Sequence, residues 1–492
     1  MSLINIANLT FSYEGSYDNI FENVSFQIDT DWKLGFIGRN GRGKTTFFSL
    51  LSGEYEYRGT ISKSVDFDRF PFEVYDKSQN TIDVIDTVFV DYMLWELQKE
   101  LSVLEVSDDV LYRPFDTLSN GEQTKVLLAA LFLKPNNFLL IDEPTNHLDS
   151  RARKIVGDYL KSKKGFILIS HDRLFLDNVV DHILSVNKAN IEIQKGDFSS
   201  WRRNRELQDN FEIAENEKLQ KNIKELSASA KRAALWSDKT EKSKHKPLSS
   251  GLSADKGYIG HKSAKMMKRS KSIEARQQKA IDDKSKLMKN VEISDKLLIK
   301  PLEYHSEKLV DISGLSISYG GKSVCEKISF TVCRGDRVAL NGRNGCGKSS
   351  ILKLLIGEYI PYKGNLNFGS NLVVSYISQD TSHLKGGLKE YAEHHKIDES
   401  LFKSILRKLD FSRIQFEKKM EDFSGGQKKK VLLAKSLCEN AHIYIWDEPL
   451  NFIDVISRMQ IENLILEHKP TMIFVEHDTA FNKNIATKSV DM

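Results

Sequence analysis

Gly38-Arg39-Asn40-Gly41-Arg42-Gly43-Lys44-Thr45-Thr46 returns 304 residues later as Gly342-Arg343-Asn344-Gly345-Cys346-Gly347-Lys348-Ser349-Ser350. Both are glycine-rich loops of the P-loop type, and each follows a short apolar run, Leu34 to Ile37 and Arg337 to Leu340. The same spacing carries on downstream. Ser119 and Ser424 are 305 apart, Asp142-Glu143-Pro144 and Asp447-Glu448-Pro449 are 305 apart, and His171 and His477 are 306 apart. An offset that drifts by two residues over four landmarks is a duplicated domain. Glycines at these positions let backbone N–H groups turn inward around a phosphate, and the following helix N-terminus adds a favourable dipole. A nucleoside triphosphate site built twice is the direct reading.

The 492 residues suffice for two or three domains, each with its own core. No apolar run approaches the ~18 residues that span a bilayer, and no basic segment leads into an apolar signal stretch. Cys325, Cys333, Cys346 and Cys438 lack paired metal spacing and read as free thiols of a reducing cytosol. The net charge of +4 hides an asymmetry: residues 201–300 hold 25 Lys/Arg against 14 Asp/Glu. That window is therefore strongly basic while the remainder is acidic, so a polyanion would be met between the repeats.

The expected boundaries are 1–200 for the first repeat, 201–306 for the linker and 307–492 for the second repeat. Apolar runs Phe138 to Ile141 and Ile443 to Trp446 end at the acidic pairs, and Gly165 to Ile169 and Thr471 to Val475 end at the histidines. Short strands that deliver functional groups at their C-termini, with helical stretches between, indicate a largely parallel α/β core. The linker reads as two long helices. Leu219, Ile223, Leu226, Ala230 and Ala233 follow a 4-3-4-3 seam, and the return limb carries Ile273, Ala280 and Leu287 with Gln277 and Lys284 between them. Lys246 to Gly251 and Gly257 to Gly260 mark the hairpin tip. A limb of about 38 residues would measure ~57 Å.

In each repeat the lysine, Lys44 or Lys348, is expected on the β- and γ-phosphates, with Gly38, Asn40, Gly41, Gly43 and Thr46, or Gly342, Asn344, Gly345, Gly347 and Ser350, around them. Thr45 and Ser349 offer hydroxyls to Mg²⁺, and Asp142 and Asp447 hold the metal from strand ends. Glu143 and Glu448 are the candidate general bases; a plain strand-end salt bridge is the alternative. His171 and His477 would report on the γ-phosphate. Gln379 suits a metal- and water-linked loop in the second repeat, whereas the first repeat offers Phe72 in that place, so the two sites are expected to differ.

Leu118-Ser119-Asn120-Gly121-Glu122-Gln123 and Phe423-Ser424-Gly425-Gly426-Gln427 resemble the signature motif of ABC ATPases. That resemblance implies two ATP molecules sandwiched head to tail, the Lys44 loop facing Ser424 and the Lys348 loop facing Ser119. Closure follows binding and opening follows hydrolysis. Tyr13 and Tyr319 resemble the family's adenine-stacking aromatics, with ordinary strand aromatics as the alternative. Two fused ATPase domains joined by a charged helical hairpin look like the ABC-F family of ribosome-associated proteins. The implied fold is α/β, two tandem ABC-type ATPase domains joined by a long α-helical hairpin linker. The implied cofactors are ATP and Mg²⁺. The implied partner is the bacterial 70S ribosome, its rRNA and P-site tRNA, with a monomeric, cytoplasmic chain, no membrane and no obligate protein partner.

Lys262, Lys265, Lys268, Arg269, Lys271 and Arg276 would neutralise rRNA phosphates, and the tip, roughly Lys239 to His261 with Leu252 and Tyr258, would approach the peptidyl-transferase centre. Lys33 to Arg42, Lys265 to Lys271 and Tyr444 to Asn451 look most like the Lsa-type group, which protects ribosomes from lincosamides, streptogramin A compounds and pleuromutilins. Alternatives are a housekeeping ABC-F translation factor and a tandem ATPase subunit of a membrane importer. A DNA-repair ATPase fits less well, because its coils split one ATPase domain and both repeats here are intact.

Overall fold

The computed structural model describes residues 2–13, 19–146, 148–187, 190–242, 297–319, 322–343 and 345–492, with scattered positions between 261 and 279. Asn344, Leu252, Tyr258, Lys262, Gln277, Ala280, Lys284 and Leu287 lie outside the described residues. Residues Met1–Ser199 and Ser294–Met492 form one compact unit and Ser200–Ile293 a second.

The first repeat contributes β1 (Leu3–Phe11), β2 (Phe21–Asp29), β3 (Lys33–Ile37), β4 (Arg58–Ser62) and β5 (Asp66–Phe70). It continues with β6 (Asn137–Asp142), β7 (Phe166–Ile169), β8 (His182–Asn187) and β9 (Asn190–Lys195). The second contributes β10 (Lys308–Tyr319), β11 (Lys322–Cys333), β12 (Arg337–Asn341) and β13 (Tyr362–Phe368). Its remaining strands are β14 (Val374–Ile377), β15 (Ile443–Asp447), β16 (Met472–Val475) and β17 (Lys488–Asp491). The larger sheets run β5-β6-β7-β3-β8-β9 and β14-β15-β16-β12-β17, and three-stranded antiparallel sheets β2-β1-β4 and β11-β10-β13 accompany them. All pairings of the larger sheets are parallel except β8 with β9.

Unbroken apolar strands follow from a sheet covered on both faces. On β15 and β16 the side chains divide strictly by alternation. Ile443, Ile445, Ile473 and Val475 enter a core with Ile351, Leu352 and Leu355 of the P-loop helix Lys348–Leu355. Tyr444, Trp446, Met472 and Phe474 enter another, with Val431, Leu433, Ile461 and Phe481. Trp446 carries an N–H into that apolar layer and satisfies it by donating Nε1 to the Ser436 hydroxyl at 3.0 Å. In the first repeat Phe47, on the P-loop helix Lys44–Ser52, is fully buried among Phe21, Phe26 and Phe36, whose ring centroids lie 5.9, 6.0 and 5.4 Å away. This cluster ties the helix to both the parallel and the antiparallel sheet, and so fixes the loop it begins from.

A single helix runs from Phe198 to Lys242, 45 residues and about 68 Å long. The described positions between 261 and 279 are helical as well, and Lys265, Lys268, Arg269, Lys271 and Arg276 among them are exposed.

Because Phe47 joins two sheets, Phe47→Ala is expected to cost about 3–5 kcal/mol, read as a lower denaturant midpoint with an unchanged slope.

Candidate active site

The strand order brings the expected residues to one edge. β3 sits between β7 and β8, so the loop after it opens beside the C-terminal ends of β6 and β7, where Asp142 and His171 emerge. The second repeat repeats this with β12 beside β16, and β16 beside β15. Gly41 and Gly43 have φ of 82° and 86°, and Gly345 and Gly347 have 81° and 98°, left-handed values that favour glycine. Inside the loops, Lys44 Nζ donates to the carbonyls of Gly38 and Arg39 at 2.7 and 3.1 Å. Lys348 Nζ donates to those of Gly342 and Arg343 at 2.8 and 3.0 Å. Burial pushes the Lys44 ammonium below its usual range, with the charges of Asp454, Glu143 and Asp142 opposing the shift.

Burial raises both the Asp142 and the Asp447 carboxyl, with Arg69, Lys44 and the Thr45 hydroxyl opposing the first shift and the Ser349 hydroxyl, Lys429 and Lys348 opposing the second. Asp447 Oδ1 is buried without a hydrogen-bond partner. A hydroxyl and a carboxylate oxygen, one of them unsatisfied, beside a phosphate loop fit Mg²⁺, which takes few protein ligands and draws the rest from phosphate and water. No group of three His, Cys, Asp or Glu side chains among the described residues forms a metal cage. Tyr13 donates to or accepts from Thr46 Oγ1 at 2.7 Å, and Tyr319 donates to Ser350 Oγ at 3.2 Å. Both rings are partly exposed over the first turn of their P-loop helices.

The two glutamates share an unusual backbone. Glu143 and Glu448 have φ of 51° and 48°, while their N–H groups still donate to Ile169 and Val475 carbonyls of the neighbouring strands at 2.9 and 3.0 Å. Each faces its histidine: His171 Nε2 lies 3.3 Å from Glu143 Oε1, and His477 Nε2 lies 3.2 Å from Glu448 Oε1. Their surroundings then diverge. Glu448 Oε2 accepts from Gln379 Nε2 at 2.9 Å and from Asn451. Burial would raise that carboxyl, but His477, Gln379 and Lys429 outweigh it and hold it below its usual range. At the place of Gln379 the first repeat has Phe72, which with Gln79, Asp142 and Glu143 lines one pocket. Burial, then the charge of Asp142, pushes the Glu143 carboxyl up to about 8.

Ser119 and Ser424 cap the helices Asn120–Leu133 and Gly425–Cys438. Glu122 N–H donates to Ser119 Oγ and Gln427 N–H to Ser424 Oγ, each at 3.3 Å. Residues just after each cap lie near the opposite repeat. A cavity of about 390 Å³ is lined by Asn120, Asn146 and Arg153 of the first repeat and by Tyr319, Gly345, Gly347, Lys348, Ser349, Ser350, Gln379, Glu448 and His477 of the second. At the other junction Asn40 Nδ2 donates to the Phe452 carbonyl at 2.8 Å, close to Gly426.

Sequence reasoning missed the groups that join the repeats. Asp454, fully buried, lies 3.2 Å from Lys430 Nζ and 3.4 Å from the Asn40 N–H. Burial would raise its carboxyl, but Lys430 and Lys44 hold it well below the usual range. Arg153 Nη1 donates to the His477 carbonyl at 2.9 Å, and Arg173 forms a buried ion pair with Glu462. The repeat offset was a usable signal for some of these, since Asp149 and Asp454 are 305 apart like the acidic pairs.

The geometry separates the two signature glycines. A Cβ on Gly426 would stand 2.5 Å from the Phe452 carbonyl oxygen of its own repeat and 3.1 Å from Asn40 Nδ2 of the opposite one, whereas one on Gly121 would meet nothing nearer than Leu148 Cδ2 at 3.5 Å. Gly426→Ala is expected to lower ATP turnover on the order of tenfold or more by holding the repeats apart, and Gly121→Ala to change it no more than about twofold. Steady-state phosphate release measures both.

A family model described as ABC transporter matches residues 21–146 and again 325–451, together just over half of the chain. The ATP-binding protein Uup of Buchnera aphidicola is 27% identical, over 99% of this chain and 80% of that protein. The ribosome protection protein VmlR of Bacillus subtilis is 26% identical, over 96% of this chain and 83% of its own. Among solved structures, the archaeal ribosome recycling factor aABCE1, in complex with the stalk protein aP1, superposes with a TM-score of 0.62 at 19% identity. That match covers 98% of this chain and 87% of the other, and it bears on the fold alone. With both phosphate loops, both signature caps and both acidic strand ends in place, the chain belongs to the ABC transporter family as a tandem ATPase of the ABC-F type, and it hydrolyses ATP.

Proposed function

We propose that this ATPase acts on the bacterial 70S ribosome, and that in its ATP-bound form it protects the peptidyl-transferase centre from lincosamides, streptogramin A compounds and pleuromutilins. The observation that carries the reading is a row of exposed cations, Lys265, Lys268, Arg269, Lys271 and Arg276, on a helical segment placed in sequence between two ATPase repeats. Guanidinium and ammonium groups on a solvated helix suit the phosphates of folded RNA. Similarity along nearly the whole chain to a protein named for ribosome protection supports the same partner.

In this reading ATP binds at both junctions, and the P-loop lysines exchange their carbonyl partners for phosphate oxygens. Mg²⁺, held by Thr45 with Asp142 and by Ser349 with Asp447, would neutralise phosphate charge at each site. Glu448 takes a proton from the attacking water, while His477 fixes the carboxylate and Gln379 orients it. Glu143 and His171 occupy the same places in the first site, where the carboxyl, pushed up to about 8, holds its own proton more tightly. ATP holds the repeats together across the Asn40–Phe452 and Arg153–His477 contacts. The linker, 201–306 by the boundaries proposed here, then enters the vacant exit site as a helical hairpin, displaces the P-site tRNA and disturbs the drug pocket. Hydrolysis releases the ribosome, and the protein works in the cytoplasm as a monomer.

The double variant Glu143→Gln and Glu448→Gln should lose on the order of 10²- to 10⁴-fold in turnover and remain on 70S particles with ATP in a sedimentation assay. Normal dissociation, or association with membranes instead, overturns the reading. Replacing Lys265, Lys268 and Arg269 with Glu in that background should weaken ribosome retention and flatten its dependence on salt. A susceptibility panel in a sensitive bacterium expressing the chain separates drug protection from a general effect on translation.

A further inference from the structure

The two metal-binding carboxylates have different neighbours on the adjoining strand. Phe70 pairs with Ile141, one residue before Asp142, just as Ile377 pairs with Trp446, one residue before Asp447. Arg69 and Tyr376 therefore stand at the same place beside Asp142 and Asp447. Arg69 Nη2 lies 3.5 Å from Asp142 Oδ2, and both side chains are only partly exposed, at 31% and 20%. Tyr376 brings no charge, and Asp447 Oδ1 is left without a partner. Three residues beyond, the amide of Gln379 donates to Glu448, while Phe72 in the first site has nothing to donate.

We propose that Arg69 is a positioning residue of the first nucleotide site, a fixed cation that makes nucleotide binding there less dependent on divalent metal than at the second site. A guanidinium remains charged at any physiological pH and presents donors in a planar fork that suits carboxylate or phosphate oxygens. Beside Asp142 it offsets part of the negative charge that would draw a metal ion. It also adds, beside Asp142, a positive charge beyond that of the P-loop lysine, which Tyr376 does not supply in the second site. Partial exposure moderates both effects through solvent screening. The inference rests on the reading that both junctions bind nucleotide.

Each site is isolated by removing the other's lysine: Lys348→Ala leaves the first, Lys44→Ala the second. Binding of a fluorescent ATP analogue is titrated with saturating Mg²⁺ and again with excess EDTA. EDTA should weaken the second site about tenfold more than the first. In the Lys348→Ala chain, Arg69→Tyr installs the residue that the second repeat carries at this position. It should enlarge the EDTA penalty about tenfold and lower the Mg²⁺ concentration needed for half-maximal binding, while Arg69→Lys should recover most of the metal-independent binding. A circular-dichroism melt of each variant confirms that it is folded. Equal weakening with and without Mg²⁺, or no change in either, overturns the role of Arg69 and leaves nucleotide binding intact. Absence of any nucleotide binding by the Lys348→Ala chain in Mg²⁺ overturns the two-site reading, and the role of Arg69 with it.

Discussion

The buried carboxylate of Asp454 is a charge around which the two repeats meet. An ionised group with no exposed surface is tolerable only if its surroundings neutralise and hydrogen-bond it. Here Lys430 supplies the neighbouring cation, Ser457 N–H donates at 2.8 Å, and Asn40 N–H approaches from the first phosphate loop. The Ser457 bond also caps the helix Val455–His468. One group thus starts a helix, pairs with a lysine of the signature helix and touches the loop that cradles a nucleotide in the opposite repeat. Movement of the repeats relative to one another must disturb this neighbourhood, which gives nucleotide binding at one loop a physical route to the other.

The duplication has preserved architecture more faithfully than chemistry. Strand order, P-loop conformation, tyrosine placement and the glutamate–histidine contact all recur. The polar surroundings do not: where the second repeat has Gln379, Tyr376, Gly425 and Gln427, the first has Phe72, Arg69, Asn120 and Glu122. Packing explains one of these differences. A Cβ at Gly425 would meet the Phe452 ring at 3.5 Å, an ordinary contact, so a side chain such as that of Asn120 is admissible at this position of the cap. Gly426 has no such freedom.

Much of this arrangement was legible in the chain. Glycine spacing fixed the phosphate loops, and apolar runs ending in Asp142, Asp447, His171 and His477 located the strand ends, because these features depend on neighbours in sequence. Each histidine rests against its glutamate, a contact between strands that no local spacing encodes. The links between repeats were illegible for the same reason: Asn40 and Phe452 are 412 residues apart, and Arg153 and His477 are 324 apart. The linker's seam, Leu219 to Ala233, lies on a helix longer than expected, since nothing between Phe198 and Lys242 breaks it.

The left-handed backbone at Glu143 and Glu448 has a consequence for how such a protein can change. A residue with a Cβ forgoes about 1–2 kcal/mol by adopting that conformation, and glycine would recover much of it. At these two positions selection for foldability and selection for turnover therefore pull in opposite directions. A lineage relieved of the need to hydrolyse would gain stability by drifting toward small or flexible residues there. Retention of the long acidic side chain in both halves is the mark of a chain still held to its work.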